Sequence, residues 1–154
     1  MTATTSLTAA ETPPLPKPDA LTAFFWDAVR EHRLELLRCQ SCGHYVHFPR
    51  PICDRCQSME LAPEAVSGRA TLYSYTWATQ AFHPYYVDKL PYVIAVVDIA
   101  EEPGVRLTTN LVDIPREDVK VGIELEVTFR AVVPGLTLPL FRPATAGQIQ
   151  EREG

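Results

Sequence analysis

Positive charge is what this sequence has least of. Lysine and arginine number 14 against 19 aspartates and glutamates, a net charge of −5 over 154 residues. Proteins that grip nucleic acid neutralise its phosphates with a basic surface, so nucleic acid is not an expected partner. No apolar run approaches the ~20 residues that a membrane span needs. The opening MTATTSLTAAETPPLPKP has neither the basic start nor the apolar stretch of a secretory signal. A soluble, cytoplasmic protein that does not engage membranes is therefore expected. Glycine is scarce, at 7 residues, and no Gly-rich phosphate loop, Ser/His/Asp order or internal repeat occurs.

Cysteine is missing as well, except in one stretch, CQSCGHYVHFPRPICDRC, which holds all four. Cys39 and Cys42 form one C-x-x-C pair and Cys53 and Cys56 a second, separated by ten residues. In a reducing compartment, clustered thiols hold metal more often than they form disulfides. Four thiolates satisfy the tetrahedral shell of a structural zinc ion and leave no open position for a catalytic water. Gly43 permits the tight turn after the first pair. The spacer is expected to form a hairpin, strand–turn–strand, with the turn at Phe48-Pro49-Arg50-Pro51 and with His44 and His47 on its surface. A dithiol redox centre needs only one pair, in a strand–helix context that is absent here. A rubredoxin-like iron site uses the same ligands and stays open as an alternative.

The remaining segments are read by period. Residues 1–18, rich in Thr, Ala and Pro, are expected to be a disordered tail. Asp19 caps an expected helix over 19–35, where Phe24, Phe25, Ala28 and Val29, and then Leu36 just beyond it, recur at near-helical spacing. The zinc ribbon is assigned to 36–63. Over 64–143, five short strands without an intervening helix predict a small Greek-key barrel of the OB type. RATLYSYTWAT is expected to place Tyr73, Tyr75 and Trp77 on one face, and PYVIAVVDI to be buried on both. Ile123, Leu125, Val127 and Phe129 alternate with Glu124, Glu126, Thr128 and Arg130 in a one-sided strand. LTLPLFRP follows as an edge strand, because Pro139 cannot complete a central ladder. Residues 144–154 read as a flexible tail. The fold class is thus mainly β: an N-terminal helix, a rubredoxin-like zinc ribbon and a five-stranded OB-fold barrel.

The segments FFWDAV, LELLRCQSCG, FPRPICDRC, TLYSYTW, AFHPYYVDKLPYVIAVVDI, LTTNLVDIP and VGIELEVTF, in this order, resemble one family. It is the zinc-ribbon/OB-fold family catalogued as domain of unknown function thirty-five, found beside thiolase-like enzymes. The resemblance runs from about Ala20 to Pro143 and implies zinc on Cys39, Cys42, Cys53 and Cys56. It further implies an accessory subunit, not catalytic alone, in a hetero-oligomer with a thiolase-fold enzyme that processes an acyl-CoA thioester. The favoured partner is a lipid-transfer-protein-type retro-aldolase acting on a steroid or similar side-chain acyl-CoA. A thiolase or acyltransferase complex is the first alternative, and a single-stranded nucleic-acid-binding OB protein the second. His83, Tyr85 and Lys89, in AFHPYYVDKLP, are candidates for the mouth of a CoA channel, with Lys89 meeting a phosphate. Phe24, Phe25 and Trp26 are candidates for the partner interface, where aromatics are enriched.

Overall fold

The computed structural model describes residues 12–145, and the outer parts of both expected tails, 1–11 and 146–154, lie outside the described residues. Residues 12–18 have no regular structure, yet Pro13 is buried. The Asp19 carboxylate accepts the Leu21 and Thr22 amides, at 3.0 and 2.9 Å, and thereby shapes the turn that leads into helix α1, Ala23–Arg30. The helix expected over 19–35 stops at Arg30 because His32 enters the left-handed region at φ 58°. The Arg33 amide then returns to the Ala28 carbonyl at 2.9 Å and closes the helix end.

The residues beyond that stop form β1, Glu35–Cys39, which pairs antiparallel with β2, Tyr45–Val46, on one side and β3, Leu61–Ala65, on the other. This three-stranded sheet replaces the hairpin expected inside the cysteine spacer: β2 pairs back across the first knuckle, and the spacer carries no second strand. β3 runs through the boundary expected between residues 63 and 64. Leu36 and Leu37, both buried, point to opposite sides of β1. Leu34, Leu36 and Tyr45 join the barrel core, while Leu37 joins Cys39, Val46 and Cys53 in a second cluster. An apolar run buried on both faces resembles a helix segment when read as sequence alone.

The second sheet has the order β6-β5-β4-β7-β8 and contains β4 (Arg69–Ala78), β5 (Tyr92–Ile99), β6 (Arg106–Asn110), β7 (Glu124–Val133) and β8 (Leu136–Pro143). All its ladders are antiparallel, and β8 meets the end of β6 through a single parallel bridge, Leu111 to Phe141. The OB-fold topology is therefore present, with the final seam narrowed to one bridge instead of a full ladder. Pro139 sits in β8, beside this seam, as its missing donor requires. Gly68 lets the chain pass from ribbon to barrel: its φ is 77°, and a Cβ there would stand 2.3 Å from Val127 Cγ1.

Two strand readings change in register. The β4–β5 ladder slips between Leu72 and Ser74, a bulge that leaves Tyr73 opposite no partner. Tyr73 is consequently exposed beneath the Arg106 guanidinium, 3.5 Å from its ring centroid, while Tyr75 and Trp77 pack on the core. The three aromatics do not share a face. β5 alternates between buried and half-buried residues, so it is closed by the core on one side only. In β7, Glu126 is buried despite its polar position, because Arg142 across the β7–β8 ladder donates to it at 2.8 Å. Among the described residues no helix is long and apolar enough to cross a membrane.

Candidate metal centre

The two C-x-x-C pairs fold into knuckles of the same design. In the first, the Gly43 amide donates to the Cys39 carbonyl at 2.9 Å, and the Cys39 amide to the His44 carbonyl at 2.8 Å. In the second, the Gln57 amide donates to the Cys53 carbonyl at 3.0 Å, and the Cys53 amide to the Ser58 carbonyl at 2.9 Å. Each turn needs a residue at positive φ just after its second cysteine. Gly43 takes that place at 75°, and Gln57 does so at 63°. The glycine was visible in the sequence; its glutamine counterpart was not, since Gln carries no turn signal.

The knuckles bring the four sulfurs within 4.8 Å of one another. Cys39 and Cys56 lie 3.5 Å apart and Cys42 and Cys53 3.7 Å. Zinc–sulfur bonds of ~2.3 Å in a tetrahedron set the sulfurs about 3.8 Å apart, so the cage has the dimensions of a zinc tetrathiolate. Cys39 and Cys53 are buried, Cys42 and Cys56 exposed. The donor set and the spacing fit a structural metal, which would cross-link β1, the turn that follows it and the loop before β3.

Crowding splits the thiol acidities. The Cys42 amide, followed by the Ser41 amide, favours the Cys39 thiolate and lowers its pKa to about 6 against the effect of burial. Although the Ser58 amide favours the Cys56 thiolate, the Cys42 sulfur, desolvation and the other two sulfurs push Cys56 up to about 12. Four thiolates this close repel one another without a cation, and a bound divalent ion is what ionises the whole set.

Polar contacts tie the knuckles to the barrel. Glu102, in the turn between β5 and β6, accepts from His44 Nδ1 at 2.6 Å, from the Tyr45 amide at 2.8 Å and from Arg55 at 2.7 Å. His44 Nε2 lies 3.3 Å from Asp54, between the second pair of cysteines. Burial opposes charge on Glu102, but the Tyr45 amide, His44 and Arg55 hold its carboxyl below the usual range. His44 is thus an interior link, its side chain 13% exposed. His47 is not a surface residue either: its Nδ1 is buried without a hydrogen-bond partner, and desolvation lowers its pKa to about 4. The sequence expectation for both histidines fails because the spacer lies against the barrel and α1 instead of standing clear as a hairpin.

The other candidate residues fall in two places. Phe24 packs on the ribbon cluster and Phe25 on the barrel core, so α1 bridges the two regions. Trp26 meets Phe25 edge-on and lines, with His47, Phe48, Leu138 and Leu140, an apolar cleft of about 320 Å³. Phe48 is 68% exposed at its rim. This cleft escaped the sequence reading, since it joins α1, the cysteine spacer and the edge strands β6 and β8. His83, Tyr85 and Lys89 come together in a 3-10 turn, Pro84–Lys89. His83 Nδ1 accepts the Tyr85 amide at 3.2 Å, and Lys89 Nζ donates to the Tyr85 carbonyl at 2.8 Å and to Asp88 at 3.0 Å. These contacts hold the loop's own shape, while Phe82 beside them is 90% exposed.

Comparison with known proteins agrees with this architecture. Residues 26–62 match the family model for the ChsH2 rubredoxin-like zinc ribbon domain, and residues 63–130 match that for the ChsH2 C-terminal OB-fold domain. The chain is 32% identical to a DUF35 domain-containing scaffold protein of Methanocaldococcus jannaschii, over 74% of this chain and 80% of that one. It is 37% identical to a probable enoyl-CoA hydratase alpha subunit of Thermomonospora curvata, over 79% of this chain. It is 32% identical to the 3-oxo-4,17-pregnadiene-20-carboxyl-CoA hydratase alpha subunit of Mycobacterium tuberculosis, over 70% of this chain. The chain spans only 37% and 33% of those two hydratase subunits. Among solved structures, a chain of an Ltp2-ChsH2(DUF35) aldolase superposes with a TM-score of 0.76 at 35% identity, covering 85% of this chain and all of that one.

Proposed function

The chain belongs to the DUF35 family of ChsH2-type zinc-ribbon and OB-fold proteins, and from that membership we propose that it is the accessory subunit of a thiolase-fold acyl-CoA enzyme. The favoured partner reaction is retro-aldol cleavage of a β-hydroxyacyl-CoA with a steroid or similar side chain. The observation that carries this reading is the likeness to the aldolase chain over its full length. The M. tuberculosis relative, named for a pregnadiene carboxyl-CoA, supports the substrate class.

Catalysis is assigned to the partner. All four cysteines are committed to the metal cage, while His83 Nδ1 and Lys89 Nζ are engaged within their own loop. Tyr85, stacked under Lys89 with the ammonium 3.9 Å from its ring centroid, and the exposed Phe82 and Val87 would border the entrance for the CoA thioester. The partner-facing surface is assigned to the aromatic helix and the cysteine spacer. Within it, Phe24 and Phe25 act from behind by holding α1 in place, and Trp26 and Phe48 supply the contact.

The test is co-expression with a thiolase-fold aldolase, followed by size exclusion with light scattering and by assay of carbonyl product and shortened acyl-CoA. A hetero-oligomer that turns over is expected, with the isolated chain inactive. Trp26→Ala combined with Phe48→Ser should weaken association by about 2 kcal/mol or more, as for central aromatic contacts, without loss of fold. Turnover by the isolated chain, or full affinity in the double variant, would overturn the assignment.

A further inference from the structure

We propose that Glu102 makes the barrel part of the metal centre, so that metal binding and docking of the ribbon on the barrel are one coupled event. Glu102 is far in sequence from the cysteines, yet its two carboxylate oxygens reach both knuckles. One accepts from His44 Nδ1 and Arg55, the other from the Tyr45 amide. His44 follows the first knuckle directly, and its carbonyl holds the Cys39 amide at 2.8 Å. Arg55 stands between Cys53 and Cys56, and His44 Nε2 approaches Asp54 in the same interval. A carboxylate–imidazole–carboxylate chain therefore runs from the barrel turn, through the first knuckle, to the second.

The neighbouring Glu101 reinforces the junction by accepting the Ser67 amide at 2.6 Å, at the point where the chain leaves the ribbon. The side chain of Glu102 is 18% exposed, so its bonds form largely out of water, where unpaired partners are costly. Groups that orient metal ligands from outside typically change metal affinity by about ten- to a hundredfold when removed. Coupling of this kind is reciprocal: if docking tightens metal binding, the metal tightens docking by the same factor.

The experiment uses the full chain without a partner, so its outcome is independent of the function proposed above. Zinc affinity is measured by chelator competition for the wild type and Glu102→Gln, and cobalt substitution reports the ligand set through its thiolate charge-transfer bands. Hydrogen exchange across residues 101–105 is followed with and without metal. Glu102→Gln should keep the tetrathiolate spectrum while losing about ten- to a hundredfold in zinc affinity. Metal removal should loosen residues 101–105 in the wild type, and much less in the variant. Glu126→Gln, a change confined to the barrel, should leave zinc affinity unaltered and so separates coupling from general destabilisation. Should Glu102→Gln fail to fold, Arg55→Gln, at an exposed side chain, replaces it and should also weaken zinc binding. Wild-type affinity in the folded variant, or exchange at 101–105 indifferent to metal, would overturn the proposal.

Discussion

The ribbon's own cluster consists of Leu37, Cys39, Val46 and Cys53, two of which are metal ligands, whereas the barrel closes on a continuous apolar set that includes Leu72, Val97, Leu125 and Phe141. The first region has too few carbon atoms to offset the entropy of ordering its loops; the second does not need help of that kind. A metal therefore counts very differently in the two halves. What blurs the division is β1, which with the preceding Leu34 gives Leu36 to the barrel, and Leu37 and Cys39 to the ribbon cluster. The contrast teaches that the metal orders the knuckles, while the barrel and α1 keep the ribbon sheet attached.

The sharpest way to break this contrast is to remove the metal. Cys39→Ser with Cys42→Ser should abolish zinc binding, measured by elemental analysis, and forfeit on the order of 10 kcal/mol of metal-linked ordering. Hydrogen exchange should then rise across residues 39–58 while β5 stays protected. Equal loss of protection in β5 would mean that the barrel is not autonomous. Next in size is Phe141→Ala, at a ring only 1% exposed at the barrel seam. It should lower unfolding free energy in urea by about 3–5 kcal/mol and leave the cobalt charge-transfer bands unchanged in the folded protein.

The smallest effect concerns His47, which lies between the two regions. Its folded-state pKa, about 4, is below its ordinary value of 6.5 because the ring is desolvated. A depressed value means that the unfolded chain takes up the proton first. The contribution to stability is thus complete above about pH 6.5, declines as pH falls, and is gone below about pH 4. The total is at most about 3 kcal/mol, by linkage. His47→Phe should flatten the pH dependence of urea unfolding between these limits, and an unaltered slope in that variant would show that other groups carry it.

Much of the site was legible because its chemistry is local. Two C-x-x-C pairs identify a tetrathiolate without any knowledge of the fold, and strand alternation in Leu125, Val127 and Phe129 locates β7. The misreadings have one origin, which is contact between residues distant in the chain. The helix is expected to continue past Arg30, to residue 35, because Leu36, seven residues after Val29, keeps the helical spacing although it lies in β1 and packs on the barrel. Tyr73 alternates with Tyr75 and Trp77 in the sequence, but a bulge shifts the alternation by one residue and separates it from them. Glu126 reads as solvent-facing in the sequence because its partner, Arg142, arrives from the next strand.

By itself, the sequence determined the ligands, the order of the elements and the mainly β character, since these follow from side-chain type and from periods of a few residues. Only the tertiary structure decided that Gln57 turns the second knuckle, that His44 and His47 are interior, and that Glu102 clasps both knuckles. Those outcomes depend on which surfaces meet when the ribbon settles on the barrel. Hydrogen bonds across such a junction are selected by three-dimensional proximity, which a linear pattern does not encode.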